Sequence, residues 1–430
     1  MPDLRPFAGI RYTQAAGEPA GLMAPPYDVI DPTQHVELCR RDAHNIVRLI
    51  LGDRRSPHEP MPDDWHDDAA RRFEAWQADG VLATDSEPAF YVYTQAFEHE
   101  GQQHTRKLLL GALKLEPYGS GHVLPHENTL PGPKADRLRL MQACAANLSP
   151  ILTFFPDSDG RINALLDTLL SIEPVQRFAD DTGIRHEFRC VTDPVATQAL
   201  TECLAPLPLY IADGHHRYET ALAYQHLRRA SHNPDIETPA DFCLAACMSA
   251  ADPGMVIRAC HRVVSWADGP APAEILEAAA AWFDIERLGG ASINDVLAAM
   301  RRRTSPGCFT VYTGRSQGYA LLTLRDERAL ANSPHPPSSP IRLLSAAVFA
   351  HGFIEPLLRG HGPRVAHTPD AAEVVRRVDS GAARLAGLLP AVRPSELTAA
   401  VDAGERMPPK STYFWPKPLT GLVMRSLRSG

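Results

Sequence analysis

Long uninterrupted apolar runs are missing from this 430-residue chain. The longest apolar window, Leu343–Leu358, is broken by His351, Glu355 and Pro356, so it is no membrane-spanning helix. The opening residues, Met1-Pro2-Asp3-Leu4-Arg5-Pro6, lack a basic stretch followed by an apolar one, and no secretory signal peptide is expected. Cysteine is sparse and scattered: its eight positions (39, 144, 190, 203, 243, 247, 260 and 308) have no disulfide-framework spacing, which suits a reducing cytoplasm. Positive charge is in deficit, with 43 Lys and Arg against 51 Asp and Glu for a net charge of −8. That balance argues against a non-specific nucleic-acid binder, which needs a basic surface to displace counterions. No helix-turn-helix signature and no internal repeat are present, so DNA readout and solenoid architectures are not expected.

What is there is ordinary in bulk. Apolar residues make up 44% and charged residues 22%, as in a soluble globular protein, and the 39 prolines point to many ordered loops. The length exceeds what one hydrophobic core usually supports. Three regions are expected: 1–120 as an α+β region, 121–265 as the region that carries the main polar motif, and 266–430 as a further α+β region that contributes the Lys410 loop. Trp65, Ala69, Phe73 and Trp76 form a helical stripe over 64–78, with Gly80 as the stop. Phe90–Tyr93 and Lys107–Leu113 flank a polar turn around Gly101, and Cys308–Tyr312 and Tyr319–Leu324 flank Gly314–Gln317; both read as hairpins. Helical patterns occupy 273–283 and 371–378, and the proline-rich stretch 332–340 reads as an exposed linker. Helices and strands mix without a βαβ rhythm, so the fold class is α+β with a mixed sheet core and additional helical and hairpin regions.

The chemistry concentrates in Ile211-Ala212-Asp213-Gly214-His215-His216-Arg217. The apolar Leu207–Ile211 before it reads as a strand, and Tyr218–Tyr224 after it as a helix, so the motif sits on a strand-to-helix turn. Glycine there permits a sharp turn or close backbone approach, and the amides of a helix start attract anions. Arg217 in that first turn opposes the helix dipole unless a phosphate or carboxylate lies beside it. The plainer alternative is Asp213 as a helix N-cap with His215 and His216 as surface residues.

Three further clusters carry polar chemistry. In 124–137, His126 and Glu127 offer a general base, while Lys134 and Arg137, one helical turn apart, could grip a phosphate; a salt-bridged loop is the alternative. In 407–417, Lys410, Ser411 and Thr412 are the side-chain set that phosphate and magnesium sites recruit, without the glycine loop of a Walker motif; an aromatic tail on the core is the alternative. In 24–30, prolines leave Asp28 on a rigid turn. Cys243, Cys247 and Cys260-His261 resemble zinc ligands only loosely, since the first two lie in an apolar run.

Four segments, Pro25–Ile30, His126–Thr129, Ala212–Tyr218 and Pro408–Phe414, resemble in order the blocks of the bacterial and archaeal family called domain of unknown function 1015, over nearly the whole chain. Asp213–Arg217 is also similar to the Asp-Gly-His-His-Arg block of free-serine kinases built on the ParB/sulfiredoxin fold. That resemblance implies that Gly214, His215, His216 and Arg217 hold nucleotide phosphates, with Asp213 positioning or activating the acceptor hydroxyl and a glutamate, assigned to Glu127, as base. The family's usual Pro-Thr-His-Arg block stands here as Ala259-Cys260-His261-Arg262.

Residues and resemblance together lead to the expectation of a cytoplasmic kinase. It would use Mg2+ and ATP or ADP to phosphorylate a small hydroxylated metabolite, free L-serine first. Asp213, Glu127 and His216 are the expected catalytic groups. Gly214, His215, Arg217, His126, Lys134, Arg137, Lys410, Ser411 and Thr412 are expected on phosphates, and Asp28, His261 and Arg262 on substrate. The partners are the nucleotide and a small molecule, with no membrane and no nucleic acid. The alternatives are a non-catalytic nucleotide-binding regulator of the ParB type, and a metal-dependent hydrolase using Asp213, His215 and His216, although adjacent histidines bind one metal awkwardly.

Overall fold

The structure is a computed structural model that describes residues 2–428 except 120, 130, 231–235, 304 and 409. The side chains of Pro131 and Pro133 are likewise outside the described set, as is Pro409 of the 407–417 segment. The chain forms two compact units: residues 1–125, 129–256 and 416–430 in the first, and 126–128 with 257–415 in the second. The expected boundary at 120 does not exist, because strand Phe242–Ser249 is hydrogen-bonded along Gln102–Lys114. A cut there would divide one sheet.

Among its described residues the first unit has a nine-stranded mixed sheet. Strand Phe90–His99 turns at Glu100-Gly101 into Gln102–Lys114, pairing Tyr91 with Leu110 and His99 with Gln102, which is the expected hairpin. Phe242–Ser249 lies antiparallel to Gln102–Lys114 on one side and parallel to Ile151–Phe155 on the other. Every residue of Phe242–Ser249 is buried, as a strand covered on both faces requires. Cys243 and Cys247 are four residues apart on it, roughly 13 Å at strand rise, too far to share one zinc. Burial pushes both thiols up to about 12.

Ile151–Phe155 is followed across the sheet by Leu209–Asp213, antiparallel, and this strand pairs in parallel with Val123–Pro125. Helix Trp65–Ala78 buries Trp65, Ala69, Phe73 and Trp76, the stripe expected from the sequence, and Gly80 follows in the left-handed conformation. It packs on helix Pro131–Cys144, which packs on helix His215–Arg229. The carboxyl-terminal segment belongs to this unit: Met424 bridges Ile10, Thr420 bridges Ala24, and Arg425–Ser426 pairs with Ala146–Asn147.

The second unit is built on a six-stranded sheet among its described residues, in the order 283–288, 319–324, 308–312, 385–388, 261–265, 364–368. Side-chain alternation divides its core in two. Phe309, Val311 and Leu322 pack with Ile275 and Leu276 of helix Pro272–Ala279 and with Phe349 and Phe353. Cys308, Tyr312 and Leu321 pack with Val296 and Met300 of helix Ile293–Arg302 and with Val374 and Val378 of helix Ala371–Asp379. The hairpin joining Cys308–Tyr312 to Tyr319–Leu324 forms as expected. The helix expected over 273–283 stops at Ala279, and Phe283 opens a strand instead, its ring buried among Phe309 and Phe353. The stretch 332–340 is irregular, but it lies inside this unit rather than linking two, held by the Ser339 hydroxyl donating to Glu405.

Both units combine helices with sheet, one mixed and one antiparallel, so the α+β class holds. Among the described residues no helix is long and apolar enough to cross a membrane.

Candidate functional site

The strand into the motif runs two residues further than the pattern suggested. Asp213 is the last residue of Leu209–Asp213, Gly214 is the N-cap, and the helix covers His215–Arg229. A register shift between Ile211 and Asp213 against Ile151–Phe155 interrupts the strand's alternation at its end, a device that re-aims a side chain. Gly214 has φ 87° and ψ 28°. A Cβ there would stand 3.0 Å from Arg217 Nε, so both conformation and space call for glycine. Glycine also supplies no capping side chain, which removes the reading of Asp213 as the helix N-cap.

Two cations converge on Asp213. Arg217 Nη2 donates to Asp213 Oδ2 at 2.6 Å, and Lys417 Nζ donates to Oδ1. Side-chain exposure is 12% for Asp213 and Arg217 and 11% for Lys417, so the three charges meet largely out of water. Burial alone would raise the Asp213 pKa; Lys417 and Arg217, with His215 behind them, overcome it and hold the carboxyl well below the usual range. The second fork of Arg217 donates to the Pro150 carbonyl. The carboxylate that the position of Arg217 called for is therefore Asp213 itself. His215 is buried and His216 half-buried in the first turn.

Lys417 was not singled out in the sequence; Lys410 was. Its placement comes from backbone contacts that no spacing shows. Arg106, wholly buried, donates to the Pro416 carbonyl, and Gln95 Nε2 donates to the Lys417 carbonyl at 3.2 Å. The one available signal is that Lys417 follows a proline in an aromatic stretch.

The other expected residues of this unit have partners of their own. Lys134 Nζ lies 2.7 Å from Glu219 Oε2, which also accepts from Thr129 at 2.6 Å. Arg137 is bound to Asp136 and to the Ile50 carbonyl and stands 4.4 Å from the centre of the Tyr27 ring. This is the salt-bridged arrangement rather than a paired phosphate grip. Asp28 is exposed on the short 3-10 turn Tyr27–Val29, and it is Tyr27 that faces inward to Arg137.

The remaining expected residues belong to the second unit. His126 Nε2 and Thr412 Oγ1 are 2.9 Å apart, and Glu127 bridges Met407 in parallel. Ser411 is buried and donates to the Pro408 carbonyl at 2.6 Å. Lys410 is exposed with φ 59°, so the three residues 410–412 do not present one common face to a phosphate. His261 Nδ1 accepts from the Leu389 amide at 3.2 Å, and Arg262 Nη1 donates to the Cys260 carbonyl at 2.7 Å, both side chains buried. Burial, then Arg262 and Arg258, lower the His261 pKa to about 4.

A strand ending in a carboxylate, a left-handed glycine and a helix start with arginine and lysine on that carboxylate make a charge-clustered turn. The sequence model of a family described as "Protein of unknown function (DUF1015)" matches residues 4–347, and the chain belongs to that family. No curated protein matches it. Among solved structures it is similar to a conserved hypothetical protein from Pyrococcus furiosus (11% identity, 69% of this chain and 90% of that one, TM-score 0.32). It is also similar to a free serine kinase in complex with AMP (10%, 70% and 88%, TM-score 0.33). A third is the carboxyl-terminally truncated SbnI from Staphylococcus aureus (12%, 73% and 86%, TM-score 0.36).

Proposed function

We propose that this protein is a nucleotide-dependent phosphotransferase that moves a phosphoryl group from ATP or ADP to the hydroxyl of a small metabolite, free L-serine being the first acceptor to test. The turn 213–217 is its phosphate-binding element, of the kind found in ParB/sulfiredoxin-like folds. The observation that carries the reading is the pair of cations on Asp213 at the start of helix His215–Arg229. Two cationic heads gather on Asp213 beside the positive end of the helix, which concentrates positive charge where phosphate oxygens are proposed to bind.

In the reaction, the acceptor oxygen bonds to the terminal phosphorus, the phosphoanhydride bond breaks, and the nucleotide leaves one phosphoryl group shorter. Such transfer asks the protein chiefly for positioning and charge. Asp213, kept ionised by Lys417 and Arg217, is a weak base. Its part is to hold those two cations in place. Glu127, a residue of the second unit, keeps the role of proposed base only because the family resemblance implies it. His215 and His216 are proposed on phosphate oxygens.

Magnesium does not fit as a protein-chelated ion. Both Asp213 oxygens are engaged, and among the described residues no cluster of three His, Cys, Asp or Glu side chains forms. The same engagement counts against Asp213 as a ligand in a metal-dependent hydrolase. Magnesium would arrive on the nucleotide's phosphates, and no step here is routed through it.

The test is incubation of the purified protein with ATP or ADP, magnesium and serine, followed by detection of phosphoserine and of the shortened nucleotide. Tight nucleotide binding by calorimetry without turnover on serine or other hydroxy amino acids would instead indicate a nucleotide switch. Absence of both binding and turnover removes the proposal.

A further inference from the structure

Strand register sets two polar side chains against each other inside the first unit. Gln95 on strand Phe90–His99 stands directly opposite Arg106 on Gln102–Lys114, and residues paired in this way present their side chains to the same face. Both are 0% exposed. Arginine can only donate, so the Gln95 amide turns its oxygen to Arg106 and keeps its nitrogen for another acceptor. Arg106 Nη2 donates to Gln95 Oε1 and to the Pro416 carbonyl, and Gln95 Nε2 donates to the Lys417 carbonyl at 3.2 Å. One pair of side chains thus holds two successive carbonyls of the tail.

That arrangement is unfavourable for stability taken by itself. Arg106 Nε and Nη1 are buried with no hydrogen-bond partner among the described residues. The carboxylate that acts on it, Asp252, accepts from the Lys107 and Gly254 amides instead. An apolar side chain of similar volume often serves a core as well or better than such a charge. Nor is Arg106 needed to attach the tail, since Met424 bridges Ile10, Thr420 bridges Ala24, and Arg425–Ser426 pairs with Ala146–Asn147. What the pair adds is a hold on the backbone at the residue whose ammonium meets Asp213.

We infer that Gln95 and Arg106 are positioning residues: by holding the Pro416 and Lys417 carbonyls they set where the Lys417 ammonium stands on Asp213, and through it the affinity of the 213–217 turn for phosphate. The inference rests on the phosphate-binding reading above. A lysine stem is long and flexible, so its ammonium is only as well placed as the backbone that carries it. With the carbonyls released, the ammonium keeps its charge but must be ordered when a ligand arrives, and binding weakens by that cost.

Two substitutions in the full chain test this. Arg106→Met removes the donor to Pro416 together with the poorly partnered buried charge. Gln95→Glu keeps an acceptor for Arg106 and turns a carboxylate oxygen toward the Lys417 carbonyl. Each should weaken ADP binding, measured by calorimetry, by about three- to tenfold, up to the loss expected for Lys417→Met. The decisive reading is a double-mutant cycle. In a chain already carrying Lys417→Met, neither substitution should lower ADP affinity further. The same fall in both backgrounds marks a merely structural role and overturns the inference, as does unchanged affinity in the folded variants. Where the unmodified chain binds no ADP, the phosphate reading falls, and the same cycle is read by urea unfolding. Non-additive stabilities then sustain the positioning of Lys417 on Asp213, and additive ones overturn it. If Arg106→Met does not fold, Gln95→Glu, which preserves the side-chain shape, carries both cycles.

Discussion

Lys417 places its ammonium on Asp213 Oδ1 although 204 positions separate the two in the chain. The tail residues around it are tied down independently, through Arg106 to the Pro416 carbonyl and Gln95 to the Lys417 carbonyl. The tail backbone is thus held by contacts separate from the ion pair that its side chain makes. Replacing Lys417 by Met keeps the stem and removes the charge. Asp213 then retains Arg217 alone, and stability should fall by about 2 kcal/mol, the range for a hydrogen bond to a charged group. Nucleotide affinity should fall about tenfold. Urea unfolding and calorimetry check the two effects, and an unchanged affinity would remove Lys417 from the phosphate-binding element.

Gly214→Ala tests the turn itself. The added methyl meets the Arg217 guanidinium at 3.0 Å on a backbone at φ 87°. A left-handed non-glycine residue costs about 1–2 kcal/mol, and the tight contact makes the Arg217 guanidinium shift slightly beside Asp213. The expected result is a stability loss of about that size together with a drop in nucleotide affinity larger than stability alone explains. Loss of stability with full affinity would show that Arg217 does not need its present position for binding.

Much of the framework was legible because periodicity writes it directly. The stripe Trp65, Ala69, Phe73 and Trp76 shows a helix, and the alternation of Phe309 and Val311 against Cys308 and Tyr312 shows a two-faced strand. The turn at Gly214 was legible for a similar reason, since glycine before a helical pattern has few other uses. Long-range pairing was not. No local pattern tells that Phe242–Ser249 joins Gln102–Lys114 in one sheet, and so the expected boundary at 120 was misplaced. Lys410 and Lys417 look alike in sequence. Their difference comes from the return of residues 416–430 to the first unit, a tertiary fact.

Glu127→Gln isolates the proposed base. The amide keeps size and hydrogen bonding while losing basicity, so turnover should fall by about 10²- to 10⁴-fold, the usual worth of general base catalysis, with nucleotide affinity little changed. Product formation by mass spectrometry at saturating substrate is the readout. Turnover within a factor of about two of the unmodified chain would exclude the assignment.

His261 gives the second unit an acid-sensitive contribution whose sign can be worked out. Its ring is 3% exposed and accepts from the Leu389 amide. Burial and the neighbouring Arg262 and Arg258 lower its pKa from 6.5 to about 4. The folded state therefore binds the proton more weakly than the unfolded chain. The corresponding stability is fully present above pH of about 6.5 and is lost as pH falls toward about 4. A shift of this size corresponds to about 3 kcal/mol. Asp213, whose pKa is depressed from 3.8, acts on a separate limb: its contribution persists down to pH of about 4 and declines only below it. His261→Gln keeps an acceptor for the Leu389 amide but does not titrate. Denaturant unfolding between pH 4 and 7 should show a flatter stability profile in this variant, with the remaining slope belonging to groups such as His35, whose pKa burial also lowers. Superimposable profiles for the two proteins across that window would show that His261 remains uncharged for no energetic reason of its own.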